Sequence, residues 1–513
     1  MMTLPSLHAS LGQTLTAWQR WTMLAIVSSA LLLIALDNTI LYTALPTLTT
    51  ELGASSSAQL WIINAYPLVI AGLLPGSGAL GDRFGHKRIF QVGLGIFGVA
   101  STLAAFSGTS EMLIASRALL AVGAAAMMPA TLALIRLTFA VERERNLAIA
   151  IWAAVATVGM ALGPIVSGVL LEFFWWGSVF LVNVPIVIAA LVLMLVVGPA
   201  NISNPRRRWD WLSSAQVMVG LTAAVLAIKT IAATPVNWPL FVVSTVVAVV
   251  MLTVFGRRQV RLNRTSEPLV DFSIFRNRGF SGGVIAAGAS IFAIVGVQLG
   301  TTQRFQLVEG FSPLDAGLIV SALAVGSMPF ALFGGAILHR SGLLTLIGGG
   351  MALAAVGAGG AIFATLADSL LWLVISFVVL GAGLGASMSV ASTAIMGNVP
   401  PRRAGMAASI EEVSYEFGGL VGVALLGSLI TFVYTRVLVL PAGAEEFAGQ
   451  APAAVLESGS APAMGAAAEA FDTAYLAVLI GVALIMLLAT IASSWMLRRY
   501  TPGSESQAYP GNH

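Results

Sequence analysis

Apolar runs of about twenty residues recur along the whole chain, and basic clusters sit in the gaps between them. A helix rising 1.5 Å per residue needs about 20 residues to cross a hydrocarbon layer of about 30 Å. The runs fall near 21–44, 58–81, 89–108, 112–135, 147–171, 178–199, 212–232, 236–255, 281–302, 314–338, 343–366, 369–396, 406–434 and 474–497. Only 9% of the 513 residues are charged and 58% are hydrophobic, whereas a soluble domain carries about 25% charged residues. Such a chain cannot cover a water-facing surface. That excludes an ordinary cytosolic enzyme, a disordered protein and a nucleic-acid binder. Period-2 alternation over ten-residue units is absent, which excludes a transmembrane barrel. The expected fold is an all-α integral membrane protein of fourteen transmembrane helices.

The basic residues test that count. With fourteen spans and the N-terminus inside, 21 of the 25 Lys and Arg fall on the cytoplasmic side, and only Arg304 and Arg436 fall in outer loops. Arg117 and Lys229 lie within spans, and Lys229, near a span end, is expected to snorkel. So lopsided a split follows the positive-inside rule and needs every span in place. Both termini are therefore expected in the cytoplasm, and the protein in the cell (inner, cytoplasmic) membrane. The first run contains Asp37 and is too long for a cleaved signal peptide. The chain has no cysteine, so it has neither a disulfide framework nor a thiol centre.

A repeat divides the sequence. Gly78-Ala-Leu-Gly-Asp82-Arg83-Phe-Gly85 recurs 257 residues later as Gly335-Ala-Ile-Leu-His339-Arg340-Ser-Gly342. Arg145 and Arg403 stand before two further spans at an offset of 258. These offsets fit two six-helix halves, 21–199 and 281–497, around an inserted helix pair within 200–280. A cytoplasmic segment, 1–20, leads and a cytoplasmic tail, 498–513, follows. The second half includes a long outer loop, about 435–473, rich in Ala, Gly and Pro and read as polar or partly re-entrant. Repeated halves around a midplane site are the signature of a secondary transporter.

Charges within spans cost about 2.5–3.5 kcal/mol each on insertion scales, so they are functional candidates. Asp37 lies about 10 Å from the outer end of its span and Arg117 about 8 Å, so a carboxylate–guanidinium pair is possible. The span near 406–434 holds Glu411, Glu412 and Glu416. At about 100° per residue Glu412 and Glu416 share a face. Glu411 is the best placed of the three to snorkel. Repulsion among the acids would keep at least one protonated. Ser312, Pro313 and Asp315 read as a helix start.

The chain resembles the fourteen-span drug:proton antiporters of the major facilitator superfamily, and within them the exporters of quaternary ammonium compounds and other organic cations. The residues that carry the likeness run in order. They are Leu36-Asp37-Asn-Thr-Ile-Leu-Tyr-Thr-Ala-Leu-Pro46; Gly78 to Arg88; Arg117 with Gly123 and Pro129; and Gly159-x-x-x-Gly163-Pro164-x-x-x-Gly168. After these come Trp176-Gly-Ser-Val-Phe-Leu-Val-Asn-Val-Pro185, Pro268-Leu-Val-Asp271 to Phe280, and Glu411-Glu412-Val-Ser-Tyr-Glu416-Phe-Gly-Gly.

The resemblance implies proton-coupled efflux of lipophilic cations, powered by the proton motive force without a cofactor or metal. The partners would be organic cations, protons and the bilayer, and the protein would act as a monomer. Asp37, Arg117, Glu411, Glu412 and Glu416 would couple protons to substrate. Gly78, Asp82, Arg83, Gly85 and Arg88 would form a conformational motif that locks the halves. Gly159, Gly163, Pro164 and Gly168 would form the antiporter motif, sealing against proton leak. Tyr42, Trp61, Asn64, Tyr66, Trp152 and Tyr415 would line the cavity, the aromatics through their ring faces. Four positions depart from the pattern: Asn64 and Ser327 stand where some relatives carry acids, Val122 where many carry Gln, and His339 where the second turn should have Asp. The first two imply a preference for monovalent cations.

Other readings stay open. The nearest is an exporter or permease of the same fold for an amphipathic metabolite, lipid, peptide or siderophore. A membrane enzyme or sensor is remote. No Gly-x-x-x-x-Gly-Lys-Ser/Thr loop exists to support ATP drive. Intramembrane acids outnumber bases four to two, which favours cations over anions.

Overall fold

The computed structural model describes residues 15–54, 56–203, 210–232, 236–263, 268–400, 403–440, 455 and 460–500. Every regular element among them is helical. The first half contains α1 (Ala17–Glu51), α2 (Ser56–Phe84), α3 (His86–Ala105), α4 (Ser110–Thr138), α5 (Glu142–Phe173) and α6 (Ser178–Val197, interrupted at Val182). Next come α7 (Trp211–Ala232) and α8 (Trp238–Leu262). A 3-10 turn, Phe272–Arg276, leads into α9 (Arg278–Leu307) and α10 (Pro313–Leu343). The second half continues through α11 (Gly349–Leu366), α12 (Leu370–Gly397), α13 (Ala404–Val437) and α14 (Ala461–Leu497). Among the described residues, eleven helical stretches are long and apolar enough to cross a membrane. One of them, Asp315–Leu366, comprises two rods that meet at Gly342.

Local chemistry sets several starts. Thr109 accepts the Met112 amide, Asn237 the Leu240 amide, Asn277 the Phe280 amide and Ser312 the Asp315 amide. Each satisfies an amide that the first helical turn leaves open. Ser312 with Pro313 and Asp315 forms the expected helix start, and the Ser312 hydroxyl also donates to Asp315 Oδ2 at 2.6 Å. The repeat is visible in the backbone. Gly85 and Gly342, 257 residues apart, have φ of 95° and 74°. Only glycine takes that conformation without strain, and there the chain reverses from α2 into α3 and from α10 into α11.

Packing follows the same symmetry. In the first half α1 packs on α4, α5 and α6, α4 on α2 and α3, and α3 on α6. In the second half α9 packs on α12, α13 and α14, α12 on α10 and α11, and α11 on α14. Each pair maps onto its counterpart eight helices later. Small residues permit the close contacts. A Cβ on Gly93 would stand 2.8 Å from the Gly123 carbonyl oxygen, and one on Gly350, 257 residues on, 2.8 Å from the Gly383 carbonyl oxygen.

The halves meet along two related seams, α2 with α13 and α5 with α10. Both are tight at the face that carries the Gly85 and Gly342 turns, here called the Arg-rich face. Gly78 lies against Gly405 and Ser409 of α13, and Gly335 against Asn146 and Ala150 of α5. Arg136 donates to the Val399 carbonyl across the same face. The first-half core includes Phe280, Met396, Val399 and Met406 from the second half. Helix α7 packs on α8 and lies on α2 and α13.

Two expectations need correction. Both ends of the outer segment expected at about 435–473 are helix: α13 runs to Val437 and α14 begins at Ala461. The rest of it lies almost wholly outside the described residues. Arg304, expected in an outer loop, is in the last turn of α9 and only 7% exposed. Its guanidinium bonds to Asp472 of α14 at 2.7 Å and to Glu309 at 3.2 Å. This pairing gives the part-exposed Asp472 of α14 a buried cation partner on α9. Arg436, also expected in a loop, ends α13.

Candidate functional site

Asp37 on α1 and Arg117 on α4 are both buried and form an ion pair, Nη1 to Oδ2, at 2.5 Å. Arg117 Nε also donates to the Ile62 carbonyl of α2 at 3.3 Å, and its Cζ stands 4.7 Å from the Tyr66 ring centroid. An isolated charge here would meet a large desolvation cost; the pair and the ring face offset it. Asn183 at the start of α6 also interacts with Asp37 and donates to Ser101 of α3 at 3.2 Å. It lay inside a quoted motif without a role. Gly159 and Gly163 of α5 pack against Leu32, Ala35 and Thr39 of α1, so two glycines of the expected antiporter motif back the segment that carries Asp37. A Cβ on Gly168 would meet no described atom within 4 Å, and the Pro164 side chain lies outside the described residues.

The second group lies on α13. Glu411 and Glu412 are 0% and 1% exposed, so Glu411 does not snorkel. Glu416, just over one turn further, is partly exposed. Glu411 Oε1 accepts from the Ser392 hydroxyl of α12 and from the Tyr415 hydroxyl, the latter at 3.0 Å. Glu411 Oε2 and Glu412 Oε1 have no hydrogen-bond partner among the described residues. Glu412 lies within electrostatic reach of both Glu411 and Glu416. Tyr66 lies within reach of Glu416 as well as of the Asp37–Arg117 pair.

The expected cavity residues separate. Tyr66 is fully buried against Arg117, Tyr415 is bonded to Glu411, and Trp152 is buried with its Nε1 donating to Thr131 at 3.1 Å. Trp61 is 46% exposed. The side chains of Tyr42, Asn64 and Lys229 lie outside the described residues.

Gly78 and Asp82, expected to belong to a conformational motif, sit at the α2–α13 seam. Asp82 Oδ1 bonds to His86 Nε2 at 3.1 Å and stands beside Gly405, at the α13 N-terminus, where a helix dipole favours an anion. The Arg83 Cζ is 5.0 Å from the Phe84 ring centroid. The Arg88 amide and the Phe84 carbonyl are bridged by Asn201, and Lys87 donates to the Gly198 carbonyl at the end of α6.

Sequence reasoning missed a polar hub under the inserted pair. Asp210 receives Arg258 in a forked contact at 3.1 Å and also accepts from Ser213. Gln259 donates to Ser213 and accepts the Leu269 amide, both at 2.7 Å. Asp271 pairs with Arg403 before α13 and accepts the Ser273 amide at 2.9 Å. Burial raises the affinity of Asp210 and Asp271 for protons. The bonds from Arg258 and Ser213, and from Ser273 and Arg403, outweigh it and hold both carboxyls below their usual range.

Two pseudo-symmetric six-helix halves with buried charges in each define a secondary transporter. The sequence matches the Major Facilitator Superfamily over residues 27–305 and 280–444, and the chain belongs to that family. It is 37% identical over 501 residues to the multidrug efflux pump LfrA of Mycolicibacterium smegmatis, covering 95% of this chain and 98% of that protein. It is also 37% identical over 430 residues to the methyl viologen resistance protein SmvA of Salmonella typhimurium, covering 83% of this chain and 86% of that one. The crystal structure of the human organic anion transporter MFSD10 (TETRAN) superposes with a TM-score of 0.61 at 14% identity, over 91% of this chain and 99% of that one, a likeness of fold alone. The protein is thus a multi-pass cell-membrane protein of a transporter family, similar to multidrug efflux and resistance proteins.

Proposed function

We propose that this chain is a fourteen-span, proton-coupled antiporter that exports lipophilic organic cations as a monomer, with both termini and the Arg-rich face in the cytoplasm. The observation that carries this reading is the acid set on α13. Two buried carboxyl oxygens, Glu411 Oε2 and Glu412 Oε1, lack partners among the described residues, and Glu416 stands partly open beside them. Two adjacent carboxyls in an apolar interior favour a shared proton or a bound cation over two charges. The first half is already neutralised by the Asp37–Arg117 pair, so its loss or gain of a proton would change the balance that holds α1 to α4.

In this reading the tight Arg-rich face belongs to the outward-facing state. Protons load the acids from outside, the halves rock, and a cation entering from the cytoplasm displaces the protons inward. Each unit charge moved is worth about 2.3 kcal/mol per 100 mV. The names of the relatives support efflux of drugs and of a viologen.

The test is efflux from energised everted vesicles. Wild type should accumulate ethidium with counterflow of protons, and a protonophore should abolish it. Asp37→Asn, Glu412→Gln and Glu416→Gln should each lose most of the rate. Methyl viologen, a dication, should be the poorer substrate, given Asn64 and Ser327. Wild type that moves no lipophilic cation would send the substrate class to metabolites or lipids. Unimpaired variants would place coupling elsewhere.

A further inference from the structure

We propose that Ser392 on α12 is a positioning residue for Glu411. It holds one carboxyl oxygen so that the other is presented for exchange. The proposal rests on the reading that the α13 acids couple transport. Helix α12 carries a hydroxyl-rich stretch, Ser387, Ser389, Ser392 and Thr393, all buried. Ser387, Ser389 and Thr393 donate to backbone carbonyls, as hydroxyls in apolar helices do. Ser392 instead reaches a carboxylate on a different helix, Glu411 Oε1.

The geometry is specific to one oxygen. Ser392 Oγ and Tyr415 OH converge on Oε1 and stand 3.3 Å from each other. Oε2 of the same carboxyl has no partner among the described residues. The two hydroxyls therefore fix the plane of the carboxyl and leave Oε2 as the exchanging atom. Ser392 also has a second acceptor, the Met388 carbonyl at 3.3 Å. When Glu411 is ionised, the Ser392 proton turns to Oε1. When Oε2 takes up a proton from water or pairs with a cation, Oε1 becomes a weaker acceptor and the Ser392 proton can return to Met388. No bond other than hydrogen bonds forms or breaks in this turn. The hydroxyl thus stabilises each state of the carboxyl without leaving a buried donor orphaned.

The experiment is a double-mutant cycle on drug:proton exchange in proteoliposomes, using ethidium and a pH-gradient dye. Ser392→Ala should lower the maximal exchange rate about ten-fold, the effect of one hydrogen bond to a charged group. KM for ethidium should change less than about two-fold, because Ser392 touches the carboxyl and not the drug. Ser392→Thr, which keeps the hydroxyl, should restore most of the rate. Ser392→Ala combined with Glu411→Gln should be no slower than Glu411→Gln alone, since the serine acts through the glutamate. If the two losses multiply, or if Ser392→Thr fails to rescue while the protein remains folded in the membrane, the positioning role is refuted. If Glu411→Gln itself exchanges at the wild-type rate, the underlying reading of α13 fails first. A normal Ser392→Ala beside a defective Glu411→Gln refutes the serine proposal alone.

Discussion

Replacing Gly78 by alanine should wedge α2 away from α13 and open the Arg-rich face. A Cβ built at Gly78 runs into Ser409 Oγ and the Gly405 carbonyl oxygen. The first obstacle is a short side chain whose hydroxyl donates to that same carbonyl at 2.8 Å, and the second is helix backbone. The serine hydroxyl can turn away about χ1, but the carbonyl is helix backbone and cannot, so relief requires a rigid shift between the helices. Overpacking of this kind costs about 1–3 kcal/mol, and a state with the seam parted escapes it. The closed-to-open ratio should therefore fall about 5- to 150-fold. The chain has no native cysteine, so spin labels can be placed at Glu142→Cys and His339→Cys, exposed positions at the Arg-rich ends of α5 and α10. Electron–electron distances should show one short population in the parent and a second, longer one with Gly78→Ala. Gly95→Ala, whose Cβ meets no described atom within 4 Å, should leave the distances unchanged. An unaltered distribution and an unaltered transport rate in Gly78→Ala would refute the argument that backbone-to-backbone packing at this seam holds the face shut.

Two further outcomes follow from the charges. Asp37→Asn or Arg117→Met alone leaves one buried charge unpaired and should cost about 3–5 kcal/mol of stability; the double variant should regain most of it in detergent melts while remaining inactive, and an intact melting temperature in either single variant would contradict the pairing. Asp271 has its carboxyl held below the usual range, because the bonds from Ser273 and Arg403 outweigh burial. Its contribution should be complete above about pH 5 and disappear as pH falls through the folded-state value. The gap in melting temperature between wild type and Asp271→Asn should thus be flat from neutral pH to about 5 and close in stronger acid, and a gap that widens on acidification would overturn the assignment.

Much of the architecture was legible because hydrocarbon imposes length and composition on any helix that crosses it. The repeat was legible because a tight reversal demands glycine, and Gly85 and Gly342 supply it at one offset. The Asp37–Arg117 pair was legible because both charges sat at similar depth in helices of opposite direction. What failed was the start of α14. Glu469 and Asp472 looked too polar for a helix within the fold, but Asp472 is matched by Arg304 from α9, a partner 168 residues away in sequence. The fate of Tyr66 was equally hidden. It was expected to line the cavity with its ring face, and the guanidinium it covers belongs to Arg117 of another helix. Ser392 and Asn183 carried no local signal, since a serine or asparagine in an apolar helix reads as a tolerated polar residue until its partner is seen.

The inserted pair breaks the symmetry that the two halves otherwise keep. Helix α7 covers the α2–α13 seam by touching both helices, with apolar contact on each side and a polar hub at the Arg-rich face. Val225 packs with Leu68 of α2 and Leu420 of α13, Val217 and Leu221 share a cluster with Ala79 of α2 and with Val413 and Phe417 of α13, and Met218 and Thr222 fill the notch at Gly72. At the Arg-rich face directional bonds run from Ser213 of α7 through Gln259 of α8 to the Leu269 amide, and the linker residue Asp271 is bonded to Arg403 and Met406. Apolar surfaces slide with little change in energy, because burial is roughly proportional to area and has no preferred direction. Charge-assisted bonds lose most of their worth with a shift of an ångström. A parting of the α2–α13 seam would therefore cost less along the α2–α7 surface than along the polar hub. The inserted helices meet both halves through apolar surface, and the linker that follows them is held to the second half by the bonds at Asp271.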